Sequence, residues 1–172
     1  MYRILKVCVI LALLGSQAWS KEDKIFGGIQ LGLGGVGDYD VGGIVGYMHY
    51  FPKKYYIADQ FRQGVRGVFE VSYMQKSYNY WGGKYTYGSV YGVLGADYLL
   101  DFNPKDKFVY GIFAGLGLGY LNVFSKDWYA SASAFGIDVR FGGSLTISQT
   151  HRFELALGSG YSLLGLRYMF LF

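Results

Sequence analysis

The sequence predicts an all-β fold: a closed, eight-stranded, antiparallel up-and-down barrel that crosses a membrane. Three observations support this. The chain is 52% hydrophobic and 20% aromatic, with 27 glycines and only two prolines. Large apolar residues alternate with small or polar residues in stretch after stretch, and the number of stretches is even. Such alternation is typical of a barrel whose outer wall meets lipid, and lipid requires closure because an open sheet edge is not tolerated in hydrocarbon.

Residues 1–20 have the features of a secretory signal peptide, with Arg3 and Lys6 ahead of a short apolar run and small residues at the cleavage point. The apolar run is shorter than the roughly 20 residues that a spanning helix needs. The chain's single cysteine, Cys8, lies in this segment. We therefore expect cleavage, and a mature barrel over 21–172 that has no disulfide and no thiolate site.

Each predicted strand is a stretch of alternating residues bounded by polar or glycine-rich turns. Outward rows are marked by residues such as Ile29 and Leu31 in the first strand and Phe153 and Leu155 in the seventh. The predicted strands are about 25–35, 42–51, 64–81, 84–102, 108–122, 132–147, 152–159 and 162–172.

The fifth strand has a rival interpretation, because the stretch 108–125 is free of charge and its glycines repeat every fourth residue, as in packed membrane helices. A period of two fits better, since the large residues share one parity and the glycines share the other. Phe113 is the exception, because it falls on the glycine face.

Mid-strand charges fall on the inward parity. The interior of an eight-stranded barrel is filled by side chains, and an isolated charge there is poorly solvated, so acids and bases should pair. The predicted bore charges are Arg66, Glu70, Asp97, Asp138, Arg140, Glu154 and Arg167.

Turn positions predict the register of two hairpins. A two-residue turn at 82–83 sets outward Val71 opposite outward Leu94 and places Asp97 diagonal to Arg66.

A turn at 160–161 sets Leu157 opposite Leu164 and Glu154 opposite Arg167. The last strand ends in phenylalanine and resembles the C-terminal signal by which outer-membrane barrels are recognised by their insertion machinery. The alternative is simply an apolar last strand. The residues of this predicted signal are Leu164, Leu166, Tyr168, Phe170 and Phe172.

The stretch GLGGVG, residues 32–37, matches the G-x-G-x-x-G spacing of a dinucleotide site. Such a match requires a helix after it, and the residues that follow are poor helix formers. We instead expect Gly32 and Gly34 to face the bore and to leave room for long ionic side chains.

The third and fourth strands are longer than the 9 to 11 residues or so that span a bilayer, so their hairpin should stand above it. Its tyrosines form either a contact surface for a partner or an aromatic girdle at the lipid headgroups. The candidate contact residues, with two from the next loop, are Tyr78, Tyr80, Trp81, Tyr85, Tyr87, Trp128 and Tyr129.

The stretches YGVLGADYLLDF (91–102) and GIFAGLGLGY (111–120) resemble the Helicobacter-type outer-membrane protein family, through a G-x-D-x-L-x-x-F strand end. This resemblance implies a barrel in the outer membrane of a Gram-negative bacterium, and some larger relatives are adhesins or porins. In size the chain is more similar to the eight-stranded barrels of the OmpA-transmembrane, OmpX and Ail type. The large extracellular domains of the adhesive relatives are missing, so no adhesin residues carry over.

The favoured function is a non-enzymatic outer-membrane surface protein with periplasmic termini. Expected partners are outer-membrane lipid, the barrel-insertion machinery and a host or envelope protein, whereas the weak net charge argues against nucleic acid. A small gated pore is the alternative, and a lipid-modifying enzyme is less favoured.

An enzyme would need a serine beside an oriented histidine, but the chain has only His49, expected inward, and His151, expected in a turn. We predict no catalytic, cofactor or metal site. The long connection over 51–61 is unusual for a periplasmic turn.

Overall fold

The computed structural model describes residues 23–53, 58, 60–80, 83–125, 132–159 and 162–172. The predicted signal peptide, Trp81, Trp128 and Tyr129 lie outside the described residues. For Tyr80 and Tyr85 only the backbone is described.

Eight antiparallel strands form one closed ring in the order of the chain, and β1 pairs with β8 to complete it. The predicted fold class is confirmed. The strands are β1 (Lys24–Leu33), β2 (Tyr39–Tyr50), β3 (Phe61–Tyr80), β4 (Gly83–Phe102), β5 (Phe108–Ser125), β6 (Ala132–Ile147), β7 (His151–Ser159) and β8 (Leu164–Leu171).

The strands are tilted relative to the barrel axis. When the pairing partners are followed once around the ring, they return to β1 displaced by about 10 residues, which corresponds to a strand tilt of roughly 40°. Because of this tilt, residues far apart in the pairing ladders reach the same level of the bore.

The β3–β4 hairpin differs from the predicted register by two residues. Its last pair is Tyr80 with Gly83, which moves the turn one position towards the N-terminus. Val71 therefore lies opposite Gly92, and Leu94 lies opposite Phe69. The predicted pairing was wrong, but a shift of two keeps every side chain on its predicted face.

The β7–β8 hairpin has the predicted register. Leu157 pairs with Leu164 and Glu154 pairs with Arg167.

The GLGGVG stretch is divided between a strand and a turn. β1 ends at Leu33, and Gly34 and Gly35 have φ values of 74° and 86°, in the left-handed region that favours glycine. The expectation that Gly34 faces the bore was therefore wrong. Gly32 does face inward, and a Cβ atom there would lie 1.9 Å from a carboxylate oxygen of Asp40.

The outer wall is apolar over its whole circumference. Leu94, Leu118 and Phe135 are 67%, 71% and 85% exposed. The bore holds two apolar clusters. The larger, around Phe26, Met48, Leu99 and Met169, lies towards the barrel end that carries both termini. Among the described residues, no helix is long and apolar enough to cross a membrane.

The wall is much taller on one side than on the other. β3 continues for five residues past Gln75, the last of its residues that pairs with β2, which is about 16 Å along the strand. β6 begins seven residues before Val139, the first of its residues that pairs with β7, which is about 23 Å along the strand. The projecting sheet, as we call it, comprises residues 76–80, 83–88, 121–125 and 132–138.

Candidate functional site

The structure presents two candidate sites: an ionic ladder inside the bore, and the inner face of the projecting sheet. The ladder begins near the barrel end that carries the termini. Arg62 donates to Asp101 at 2.9 Å, and Arg152 donates to the other oxygen of Asp101 at 3.1 Å. Arg152 also donates to Glu154 at 2.7 Å. Two arginines therefore share one carboxylate, and the second arginine connects it to the next acid.

Arg66 occupies the centre of the ladder. Its guanidinium donates to Asp97 at 2.5 and 2.8 Å and to Glu154 at 2.7 and 3.1 Å. Arg140 donates to the second oxygen of Asp97 at 2.8 Å and to Asp138 at 2.6 Å. All these side chains are buried, so each charge depends on its partners rather than on water.

Arg167 extends the ladder to the β8 side of the bore. It forms an ion pair with Glu70, and its second terminal nitrogen lies 4.0 Å from Glu154. Its Nε donates to the side-chain carbonyl of Gln30 at 3.2 Å. All seven charged residues selected from the sequence thus lie in one connected network.

The inward glycines give the ladder its space. A Cβ atom on Gly115 would lie 1.8 Å from Asp97 Oδ1, and one on Gly95 would lie 2.3 Å from Arg140 Nη2. Both distances are shorter than any real carbon contact. A larger residue at either position would occupy space that the ladder already fills.

Phe113, the exception to the alternation of β5, lies inside the bore and is 4% exposed. Its ring centroid is 5.2 Å from the guanidinium carbon of Arg66. A Cβ atom on Gly142 would lie 2.8 Å from the edge of this ring. Phe113 therefore fills the space that a glycine leaves on the neighbouring strand.

Sequence reasoning missed three ladder residues: Arg62, Asp101 and Arg152. Arg62 precedes the predicted start of the third strand, and Arg152 was placed next to a turn. Asp101 has the inward parity of Asp97, so the alternation alone was a sufficient signal for it.

Both histidines lie on the outer wall. His49 was expected inward, but it pairs with outward Val65, and its Nδ1 lies 3.0 Å from Asp23. His151 was expected in a turn, but it begins β7, and its Nδ1 lies 2.9 Å from the hydroxyl of Tyr168. In the described part of the chain, the side chains hydrogen-bonded to the two rings are therefore an aspartate and a tyrosine, not a serine.

The tyrosines of the projecting sheet have the parity of the bore. Tyr78 lies opposite Tyr85, and Lys76 lies opposite Tyr87, on the same face as buried Met74. The rings of Tyr78 and Tyr87 meet edge to face at 5.8 Å. Tyr78 and Tyr87 therefore lie on the inner face of the sheet, and they do not form an aromatic girdle on its outer face.

Outward aromatic residues exist separately at a similar height. The rings of Tyr73 and Phe124 lie 6.2 Å apart, and those of Tyr120 and Phe135 lie 5.0 Å apart. All four side chains are exposed on the outer wall. The sequence left open whether the hairpin tyrosines form a contact surface or a girdle. In the structure, Tyr78 and Tyr87 lie on the inner face, and a different set of aromatic residues lies on the outer wall.

The predicted C-terminal signal residues share the outward face of β8. Leu166 and Phe172 are 56% and 70% exposed, and the rings of Phe170 and Phe172 lie 4.9 Å apart. The backbone nitrogen of Phe172 donates to Ile25 at 2.8 Å, which fixes the chain end against β1.

Within the described ranges, no group of three or more histidine, cysteine or acidic side chains is arranged to hold a metal ion. The acids that do cluster are those of the ladder, and their partners are arginines. The arrangement can therefore support folding and exclude solutes from the bore.

No protein-family model matches the chain, and no curated protein sequence matches it. Two solved structures similar to the chain are of Ail, the attachment invasion locus protein of Yersinia pestis. In the complex with the heparin analogue sucrose octasulfate, the TM-score is 0.47 and the identity 12%, over 87% of this chain and 93% of that chain. Ail by itself gives a TM-score of 0.43 and 11% identity over the same shares. The resemblance to the Helicobacter-type family stays a prediction.

Proposed function

We propose that the chain is a non-enzymatic integral protein of a bacterial outer membrane, and that its projecting sheet binds an extracellular protein through its inner, tyrosine-rich face. The surface of the wall supports the membrane part of this proposal. A soluble protein rarely exposes a large contiguous apolar patch, whereas here the apolar residues encircle the barrel. An apolar outer wall of this kind is typical of a barrel embedded in lipid.

The parity of the tyrosines is the observation that carries the binding part. Tyr78 is 49% exposed although it has the parity of the bore, because the sheet at this height stands above β7, β8 and β1. Rigid tyrosine side chains provide large contact areas at a small cost in conformational entropy. The described strands β7, β8 and β1 end below this face, so a partner can approach it from the low side of the wall.

The filled bore argues against the alternative of a pore. Arg66 and Arg152 are 1% and 0% exposed, and both are held by two acids. A conducting path would have to break these ion pairs. We expect planar-bilayer recordings of the purified protein to show no conductance steps.

The proposed topology places both termini in the periplasm and the projecting sheet outside the cell. Lys84 lies in the projecting sheet, whereas Lys105 lies in the turn between β4 and β5, at the opposite end of the barrel. An amine reagent that cannot cross the membrane should label Lys84 in intact cells and leave Lys105 unlabelled until the cells are opened. Labelling of Lys105 alone in intact cells would invert the topology.

Binding is tested with two matched double variants, each expressed on a non-adherent Gram-negative strain. Replacing Tyr78 and Tyr87 with serine changes the inner face, and replacing Tyr73 and Phe124 with serine changes the outer wall. We expect only the first pair to abolish adhesion to immobilised extracellular proteins, with heat-modifiable folding intact in both. Equal adhesion by the inner-face variant and the wild type would remove the binding proposal and leave the membrane assignment in place.

A further inference from the structure

Asp40 is the charged group of the bore that stands outside the ionic ladder. It is the second residue of β2 and is 3% exposed. In the described residues, the buried charged side chains are six acids and five arginines, and every one of these acids except Asp40 has an arginine within 4.0 Å. The ladder is thus balanced without Asp40, and an ionised Asp40 would leave one uncompensated negative charge.

One oxygen of the Asp40 carboxyl has only neutral donors. Tyr91 donates its hydroxyl to Oδ1 at 3.2 Å, and Gln30 lies with its side-chain nitrogen 3.5 Å from the same oxygen. Gln30 is itself held by Ser72, whose hydroxyl accepts from it at 2.9 Å. Neutral donors stabilise a carboxylate less than charged ones do.

The other oxygen has a neighbour but no donor. A Cβ atom on Gly32 would lie 1.9 Å from Asp40 Oδ2 and 2.3 Å from the hydroxyl oxygen of Ser162, so these two oxygens border the same small space. The Ser162 hydroxyl donates to the backbone carbonyl of Leu164 at 3.0 Å. Since a carbonyl cannot donate, the proton of this hydroxyl is used there, and Oδ2 accepts no hydrogen bond from the residues that the structure describes.

Protonation of Asp40 would remove both the uncompensated negative charge and the need of Oδ2 for a donor. We propose that Asp40 is a proton-binding site: a neutral carboxylic acid at neutral pH, whose Oδ2 proton is donated to Ser162. The hydrogen bonds then run in one direction, from Asp40 to Ser162 and from Ser162 to the carbonyl of Leu164. This chain of hydrogen bonds links the start of β8, on the low side of the wall, to the interior of the barrel. Release of the proton would make Asp40 an acceptor, turn the Ser162 hydroxyl away from the carbonyl of Leu164 and so loosen the start of β8.

The charged groups around Asp40 are already committed. Arg167 from β8 is paired with Glu70 from β3, and Arg140 from β6 is paired with Asp97 and Asp138. The cavity beside Asp40 is also lined by Tyr91 from β4, while the lining residues of β1 and β7 carry no titratable group. Its volume of about 30 Å³ admits one or two water molecules, which is too little for a hydrated cation.

The proposal is tested by infrared spectroscopy of the full mature chain in lipid vesicles. A protonated carboxyl has a carbonyl stretching band distinct from that of a carboxylate. We expect such a band at neutral pH with the intensity of one group per chain. It should disappear in Asp40→Asn, an uncharged residue of the same shape, and persist in Asp38→Asn, which changes an acid of the neighbouring exposed turn.

The mobility of a spin label attached to Leu163→Cys reports whether the start of β8 is held to the interior of the barrel. On raising the pH, the label in the otherwise unchanged chain should become more mobile as the infrared band is lost, whereas in the Asp40→Asn background its mobility should not change. If Asp40→Asn does not fold, Ser162→Ala provides the test, because the band should move to the frequency of a carboxyl group without a hydrogen-bond acceptor. Absence of the band at neutral pH, its survival in Asp40→Asn, or its indifference to Ser162→Ala would overturn the proposal.

Discussion

Arg66 and Glu154 are 88 positions apart in the sequence, and they share two hydrogen bonds of 2.7 and 3.1 Å across the bore. Arg66 also holds Asp97 on the neighbouring strand. One guanidinium thus ties β3 to β4 and to the far side of the barrel. Each acid would lose one of its arginine partners without it, and the desolvation of a buried charge is offset only by close partners.

Replacing Arg66 with methionine should therefore be strongly destabilising. The change leaves Glu154 with Arg152 and the more distant Arg167, and Asp97 with Arg140 alone. We expect the free energy of unfolding to fall by about 3–5 kcal/mol, measured by urea titration of the protein in lipid vesicles. Lys107→Met, in an exposed turn, is the control and should change it by less than about 0.5 kcal/mol. Equal stability of the two variants would show that the ladder does not stabilise the fold.

A methyl group added inside the bore should cost more than one added outside. In Gly115→Ala the new Cβ meets Asp97 Oδ1 at 1.8 Å, whereas in Gly67→Ala it has nothing within 4 Å. We expect Gly115→Ala to lose about 1–3 kcal/mol of unfolding free energy, as overpacked interiors do. Gly67→Ala should be close to neutral. The same titration measures both, and a larger loss for Gly67→Ala would contradict the proposed role of the inward glycines.

An arginine on the outer wall distinguishes lipid from water as its surroundings. Leu155 lies near mid-height on β7 and is 50% exposed. In a bilayer, Leu155→Arg should cost about 2–4 kcal/mol. Asn79→Arg, on the projecting sheet, should cost little. Folding yield into vesicles and the unfolding free energy test this, and a Leu155→Arg protein as stable as the wild type would speak against a membrane-embedded wall.

The last residue should matter more for insertion in cells than for the folded barrel. Phe172 is 70% exposed, and its ring lies 4.9 Å from that of Phe170. We expect Phe172→Ser to lower the amount of protein inserted in cells several-fold while refolding into vesicles proceeds as for the wild type. Pulse labelling followed by membrane fractionation measures the first. Normal insertion in cells would show that β8 is merely an apolar last strand.

The faces of the strands were readable from the sequence because they depend on parity alone, and parity survives an error of two residues in register. The β3–β4 hairpin shows this: Val71 has a different partner from the predicted one, yet it keeps its outward face. Phe113 is a large residue on the inward face of β5, for a reason that the sequence could not show. Its ring fills the space at Gly142, which is on another strand.

The sequence by itself thus determined that the chain alternates, that it forms eight strands, and that the seven selected mid-strand charges point into the bore. Only the tertiary structure decided which of those side chains meet. Closing the ring with tilted strands brings Arg66 to Glu154 and Asp40 to Ser162. Alternation is a local property of consecutive residues, whereas the tilt and the closure belong to the ring as a whole.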